Sequence, residues 1–209
     1  MSSYKQIYQS GYELFAKYGY RNVSVSQIAT KAWVAKGSFY NSFDSKQQLY
    51  IEILENIFDS IEKYMLFLKD RFDDLEERFY NYLYGGCLFY EDNSIVFNLI
   101  KQNKLYYSSK VDKAYVFDKI KKAISNLFTS DELDKLNQKG INMIDIVLVA
   151  KSFILLISNR TTHSQPTYEE WLDKYIRIVT KWLFDYDDTE FEKLDYDTIK
   201  DVSDFCLGE

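Results

Sequence analysis

Apolar residues recur at spacings of three and four along much of the chain. Over residues 4–18, Ile7, Gly11, Leu14, Phe15 and Tyr18 make one such face, which predicts an amphipathic helix. Gly19 follows, where a helix C-terminus favours a residue free to take positive φ. Ser24-Val25-Ser26-Gln27 has the form of a capping box, and Ile28, Ala29 and Ala32 supply the inward face of a short second helix. A break at Trp33 precedes a third short helix, about 35–43, with Phe39 and Phe43 four apart and facing inward. Ser45 is placed to cap a fourth helix. Its stripe runs through Leu49, Ile53, Leu54, Ile57, Ile61, Tyr64 and Leu68.

Further helices are expected at roughly 72–90, 93–106, 109–128, 141–160 and 167–185. Gly85-Gly86 inside the first of these marks either a kink or a place where something packs close to the backbone. Residues 161–166 read as a loop. The last twenty-five residues carry ten acidic side chains and two lysines, with Phe191, Leu194, Ile199, Val202 and Phe205 among them. They suit either a weak amphipathic helix folded back on the body or a solvated tail. One proline and seven glycines are too few for a sheet protein of this length. The fold class is therefore all-α, with a three-helix head in residues 1–46 and a helical body in 47–209.

Composition sharpens this picture in two places. The chain has 19 Tyr, 15 Phe and 3 Trp, which fit a Tyr-rich core or an aromatic-lined pocket. Charge is divided unevenly. Residues 1–50 hold Lys5, Lys17, Arg21, Lys31, Lys36 and Lys46 against Glu13 and Asp44, a net of +4 in a chain of −6, which leaves −10 for the rest. A basic head on an acidic body is the electrostatic footprint of a nucleic-acid reader with a separate second function. Cys87 and Cys206 lie far apart, which fits a reducing, cytoplasmic setting better than a disulfide framework. The most apolar stretch, 141–158, contains Asn142, Asp145 and Lys151, which a bilayer span would tolerate poorly, so no membrane association is expected. The single histidine, His163, has no partner at catalytic or metal-ligand spacing, and no glycine-rich phosphate loop is present. No enzyme activity, cofactor or metal is expected.

Three short helices with a tight break between the second and third make a helix-turn-helix. In that arrangement the third helix enters the major groove of double-stranded DNA by its N-terminal residues. Lys36-Gly37-Ser38 opens the third helix here: a charge for phosphate, a position without a side chain that permits close approach, and a hydroxyl for a base edge or phosphate. Tyr40 and Asn41 follow on the outward side, and Asn can bond adenine in a bidentate manner. Ser24 and Ser26 at the second helix, and Lys46 at the fourth, complete the expected DNA-binding set.

With these residues in view, residues 7–50 resemble the DNA-binding domain of the TetR family of bacterial regulators. The likeness is carried by Gly19-Tyr20, then Val23-Ser24-Val25-Ser26-Gln27-Ile28-Ala29, then Ala32-Trp33-Val34-Ala35-Lys36-Gly37-Ser38-Phe39-Tyr40-Asn41-Ser42-Phe43, and Ser45-Lys46-Gln47-Gln48-Leu49. Three positions depart from the family pattern. Trp33 stands where the family usually has glycine. If the turn needs positive φ there, the strain is about 1 kcal/mol or more; otherwise the turn is redrawn and the indole packs on something. Ala35 stands where a capping Ser is usual, and Ser42 replaces a common His.

The resemblance implies a homodimer built on the last two long helices, with Phe153, Ile157, Trp171, Tyr175, Ile178 and Trp182 at its interface alongside Ile146. It also implies a small-molecule effector site in the body, for which Tyr64, Tyr82, Phe89, Phe97, Tyr106 and Phe117 are the candidate lining. Helix 46–68 then joins head to body. The implied function is a ligand-responsive repressor that binds operator DNA. The competing expectation is a non-DNA-binding helical interaction protein whose head has degenerated at Trp33 and Ala35.

Overall fold

A computed structural model describes residues 2–92, 113–158, 168–184, 192–195 and 197–199, leaving aside the side chains of 88–92, 113, 114, 116, 154–158, 168 and 169. Among the described residues the secondary structure is helical, with no strand. The helices are α1 (Ser3–Tyr18), α2 (Val25–Lys31), α3 (Lys36–Ser42), α4 (Lys46–Arg71), α5 (Leu75–Asp92), α6 (Lys113–Ser125), α7 (Ser130–Gln138), α8 (Met143–Ser158) and α9 (Tyr168–Phe184). Two compact units form. One takes the described residues up to Ser60 with the start of α6; the other takes Ile61–Asp92 and the described residues from Lys119 onward. The expected helix at 93–106 lies outside the described residues.

In the first unit α1 buries Ile7, Tyr8, Gly11, Tyr12 and Phe15. The face is rotated from the expected one: Tyr8 and Tyr12 join the core, Leu14 is half-buried and Tyr18 is exposed. Tyrosine explains the difference, because it carries an apolar ring inward while its hydroxyl finds a polar partner. Tyr8 accepts a 2.8 Å hydrogen bond from Asn56 of α4. Gly11 is required by close approach, since a Cβ there would lie 2.6 Å from Leu49 Cδ2. Gly19 ends α1 at φ 77°, its N–H donating to Phe15 O.

In the second unit α5 packs against α8 and α9. It runs unbroken through Gly85-Gly86, so of the two sequence readings the structure shows close packing. A Cβ on Gly85 would collide with the Tyr64 hydroxyl and lie 2.9 Å from Tyr64 Cζ. That hydroxyl donates to Asn81 O at 3.0 Å.

The helix expected over 109–128 ends at Ser125, where the chain turns and forms α7. Its start is a full capping box between Thr129 and Glu132. Glu132 also pairs with the buried Arg78 guanidinium, whose Nη1 donates to Leu127 O at 2.6 Å. Burial raises the Glu132 carboxyl, but hydrogen bonds from Thr129 and Arg78 outweigh it and hold its pKa below the ordinary value. Near the C-terminus the described residues of 192–199 dock on α5. Asn81 donates to Glu192 O and accepts from Leu194 N–H, while Leu194 and Ile199 are buried. For these residues the folded-back reading holds and the solvated one does not.

Gly85→Ala therefore overpacks a fully occupied contact. We expect a loss of about 1–3 kcal/mol in urea unfolding. In the double variant with Tyr64→Phe, which removes the colliding oxygen, the two losses should be less than additive; full additivity would show that the contact is not tight.

Candidate nucleic-acid interface

Two helices of the head, α2 and α3, are seven residues long and too short to persist alone, so their placement depends on contacts outside the helix. Ser24 caps α2: its Oγ accepts from Gln27 N–H at 3.2 Å, and its own N–H donates to Gln27 Oε1 at 2.7 Å. Ser45 accepts from Gln48 N–H at 3.1 Å at the start of α4. Lys46 reaches back: its ammonium donates to Tyr20 O at 2.8 Å and Val23 O at 2.6 Å, and lies 4.1 Å from the centre of the Tyr20 ring. Desolvation lowers its pKa from the ordinary lysine value. Lys46 thus ties the α1–α2 connection to α4, which fixes where α2 begins. Lys31 pairs with Glu13 of α1 at 2.8 Å, and that hydrogen bond holds the Glu13 carboxyl below its ordinary pKa.

The turn between α2 and α3 answers the question posed by Trp33. Val34 N–H donates to Ala29 O at 3.0 Å and Trp33 N–H to Thr30 O at 3.1 Å. These two bonds are those of a Schellman motif, which needs positive φ at the residue after the cap. Trp33 has φ 55°. The turn keeps the usual backbone and the tryptophan carries the strain, about 1–2 kcal/mol. Its side chain is 93 % exposed, so the alternative of a redrawn turn with a packed indole does not hold. Two residues on, Ala35 occupies the N-cap of α3 with extended φ and ψ and no side-chain bond to the helix.

α3 is held by Phe39 and Phe43, both buried. The Phe43 ring stacks on Tyr4 with centroids 5.0 Å apart. With these two rings inward, Lys36, Gly37, Tyr40 and Asn41 are exposed and Ser38 half-exposed along the other side. Ser42 Oγ bonds back to Ser38 O at 3.3 Å and does not extend outward. Ser24 and Ser26 are exposed at the start of α2. Seven of the eight expected DNA-facing residues are therefore displayed by two adjacent helices, while Lys46 is engaged by backbone carbonyls. The structure adds Trp33 to the displayed surface; its place in the turn pattern was visible in sequence, but not that its ring is left bare.

The family model for bacterial regulatory proteins of the tetR family matches residues 7–53, from α1 into α4. The Tn10 TetC protein of Escherichia coli is 30% identical over 139 residues, which cover 63% of this chain and 68% of that protein. The chain belongs to the TetR family. YuxN of Bacillus subtilis (strain 168), an uncharacterized HTH-type transcriptional regulator, is 29% identical over 112 residues, 52% of this chain but only 38% of its own length. The chain thus spans well under half of that relative. A TetR family transcription regulator of Marinobacter aquaeolei VT8 has the same fold, with a TM-score of 0.70 over 86% of this chain and 94% of its own at 15% identity.

The other residues expected of a TetR protein are placed as follows. Tyr64 is buried, with its hydroxyl bound to Asn81 O, and burial pushes its pKa up. Tyr82 and Phe117 are half-buried; the side chains of Phe89, Phe97 and Tyr106 lie outside the described residues. On α9, Trp171, Ile178 and Trp182 are 44%, 57% and 72% exposed. Tyr175 is half-buried, stacked on Trp171 and on the buried Phe153 of α8 at 5.6 and 5.5 Å. Ile146 is buried inside the chain, and the side chain of Ile157 lies outside the described residues.

Ala35→Ser restores a side-chain acceptor at an N-cap that already has extended backbone. It is expected to stabilise the protein by about 0.5–2 kcal/mol in thermal or urea unfolding. No gain would mean that the α3 N-terminus is already satisfied by solvent.

Proposed function

We propose that the chain is a sequence-specific regulator of transcription, a homodimer that represses by occupying double-stranded operator DNA through α2 and α3. In this reading a small hydrophobic or aromatic effector, bound in the body, releases it, and the functional boundary falls near Lys46. The observation that carries the DNA-binding part is the bare outer side of α3, with Lys36, Gly37, Ser38, Tyr40 and Asn41 held outward by two buried phenylalanines. Gly37 is informative. Beyond its chain neighbours and the backbone of its own helix, nothing lies within 4 Å of where its Cβ would be, so no packing contact among the described residues requires glycine at this helical position. Glycine in a helix costs roughly 0.5–1 kcal/mol relative to alanine. A duplex approaching the backbone supplies the missing reason.

The dimer rests on a different surface. Trp171, Ile178 and Trp182 follow one another at helical spacing on α9, and Ile144 and Leu148 are likewise exposed on α8. Such an apolar stripe on a folded chain is the mark of a partner surface. The effector part rests on membership of the TetR family; the buried Thr180 hydroxyl of α9, which has no hydrogen-bond partner among the described residues, would offer a bound molecule one polar contact.

Binding of purified protein to its own upstream DNA, titrated with salt, tests the first part. We expect log K to fall linearly with log salt, and Lys36→Ala to reduce that slope by about one. A wild-type protein with no salt-dependent affinity for any duplex, random-sequence selection included, overturns the reading in favour of a helical interaction protein.

Sedimentation velocity tests the dimer. Trp182→Glu combined with Ile178→Glu should convert a dimer to monomers with unchanged helical circular dichroism. A dimer that survives both changes places the interface elsewhere.

A further inference from the structure

We infer that Trp33 is a further DNA-contacting residue, its indole set against the sugar–phosphate backbone beside the groove that α3 enters; this rests on the DNA-binding reading above. The Schellman motif occurs at the end of α7 as well, where Ile141 N–H donates to Leu136 O at 2.9 Å and Gly140 N–H to Asn137 O at 3.0 Å. There the residue at positive φ is Gly140, at 81°, as the motif favours. At the end of α2 the same position is Trp33, and among the described residues it is the one non-glycine at positive φ.

Other exposed aromatics of the head, Tyr4, Tyr18 and Tyr40, keep about half their surface covered, whereas Trp33 is 93 % exposed. A strained backbone and a large apolar ring in water are both unfavourable, and neither is compensated among the described residues. Strain of this kind points to a functional contact.

The position of the residue selects the partner. Trp33 lies three residues before Lys36, on the turn that leads directly into the displayed side of α3. Any duplex that meets Lys36, Gly37 and Ser38 passes this turn. The chemistry of the indole fits a duplex flank: a flat apolar face for a deoxyribose, and one N–H donor with no acceptor for a phosphate oxygen that only accepts. The contact carries no charge and reads no base edge. It should therefore raise affinity for operator and random duplex alike and leave the salt slope unchanged.

The test uses the full chain with Trp33→Gly and Trp33→Asn. Glycine removes the strain, and Asn tolerates left-handed backbone while keeping a Cβ, so a loss shared by both variants is not a loosened turn. Trp33→Gly should melt about 2–4 °C higher than wild type. Both variants should bind operator and random duplex roughly 5-fold or more weakly, in proportion to aromatic contacts with nucleic acid. The salt slope should match wild type, and the DNA-induced change in tryptophan emission should be lost. Variants that bind as tightly as wild type, while wild type binds DNA with a salt slope, overturn the role of the indole and leave the DNA-binding reading intact. A wild type with no salt-dependent binding removes that reading, and the indole contact with it.

Discussion

A helix of seven residues does not hold its shape in water, and the head is built around two of them, α2 and α3. Everything the head can do depends on how they are fastened. Ile28, Phe39 and Phe43 bury their side chains completely or nearly so, and each large apolar side chain so buried contributes roughly 1.5–3 kcal/mol. Burial is non-directional, however, and does not fix where a helix starts. Lys46 does that. By donating to the carbonyls of Tyr20 and Val23, it holds the segment that leads into the Ser24 cap. The clamp is local to the head, since Tyr20, Val23 and Lys46 share one compact unit. A charged side chain half-removed from water is a costly fastener, and the lowered pKa records that cost.

Stabilisation is distributed unevenly around these helices. The start of α2 has a complete capping box and the start of α4 a serine cap. The start of α3 has neither, and the turn before it holds a tryptophan in a glycine conformation. Together these two departures cost the head about 1.5–4 kcal/mol, comparable with the gain from one well-buried phenylalanine. They lie immediately before the side of α3 proposed to meet DNA. Stability relinquished at a binding surface while the supporting ends are fully capped is the pattern expected when function sets residue choice.

The head was largely legible in the sequence because its signals are local. Ser24 with Gln27, Gly19 after α1, and Phe39 with Phe43 each announce themselves within four residues. The body was less so. α7 lies outside the expected helices although Thr129-Ser130-Asp131-Glu132 has capping-box form, because its apolar pattern is short. The α1 face differs from the expected one because Tyr8 and Tyr12 bury their rings, and the Tyr8 hydroxyl keeps a partner in Asn56. Lys46 was read as a phosphate ligand, and its long-range reach to two carbonyls cannot be seen in residue spacing. The exposure of Trp33 was equally invisible, because a turn sequence does not say whether a ring will find a neighbour.

α5 shows why hydrophobic patterning runs out in the body. Arg78, Asn81 and Gly85 stand at spacings of three and four, so they share one side of the helix. By pattern alone that side is polar and belongs to solvent. Instead each residue receives a distant segment: Arg78 takes Leu127 O and Glu132, Asn81 takes Glu192 and Leu194, and Gly85 takes the Tyr64 ring. Two are buried polar side chains that must be fully bonded, and the third is an absence of side chain that must be filled. Such contacts are directional. Apolar surface would let the segments after α6 and near residue 194 slide, whereas a guanidinium, an amide and a notch each accept one arrangement. The docking of these segments is thus specified by the partners of three residues that hydrophobic periodicity does not identify, and those partners lie up to 113 positions away in sequence.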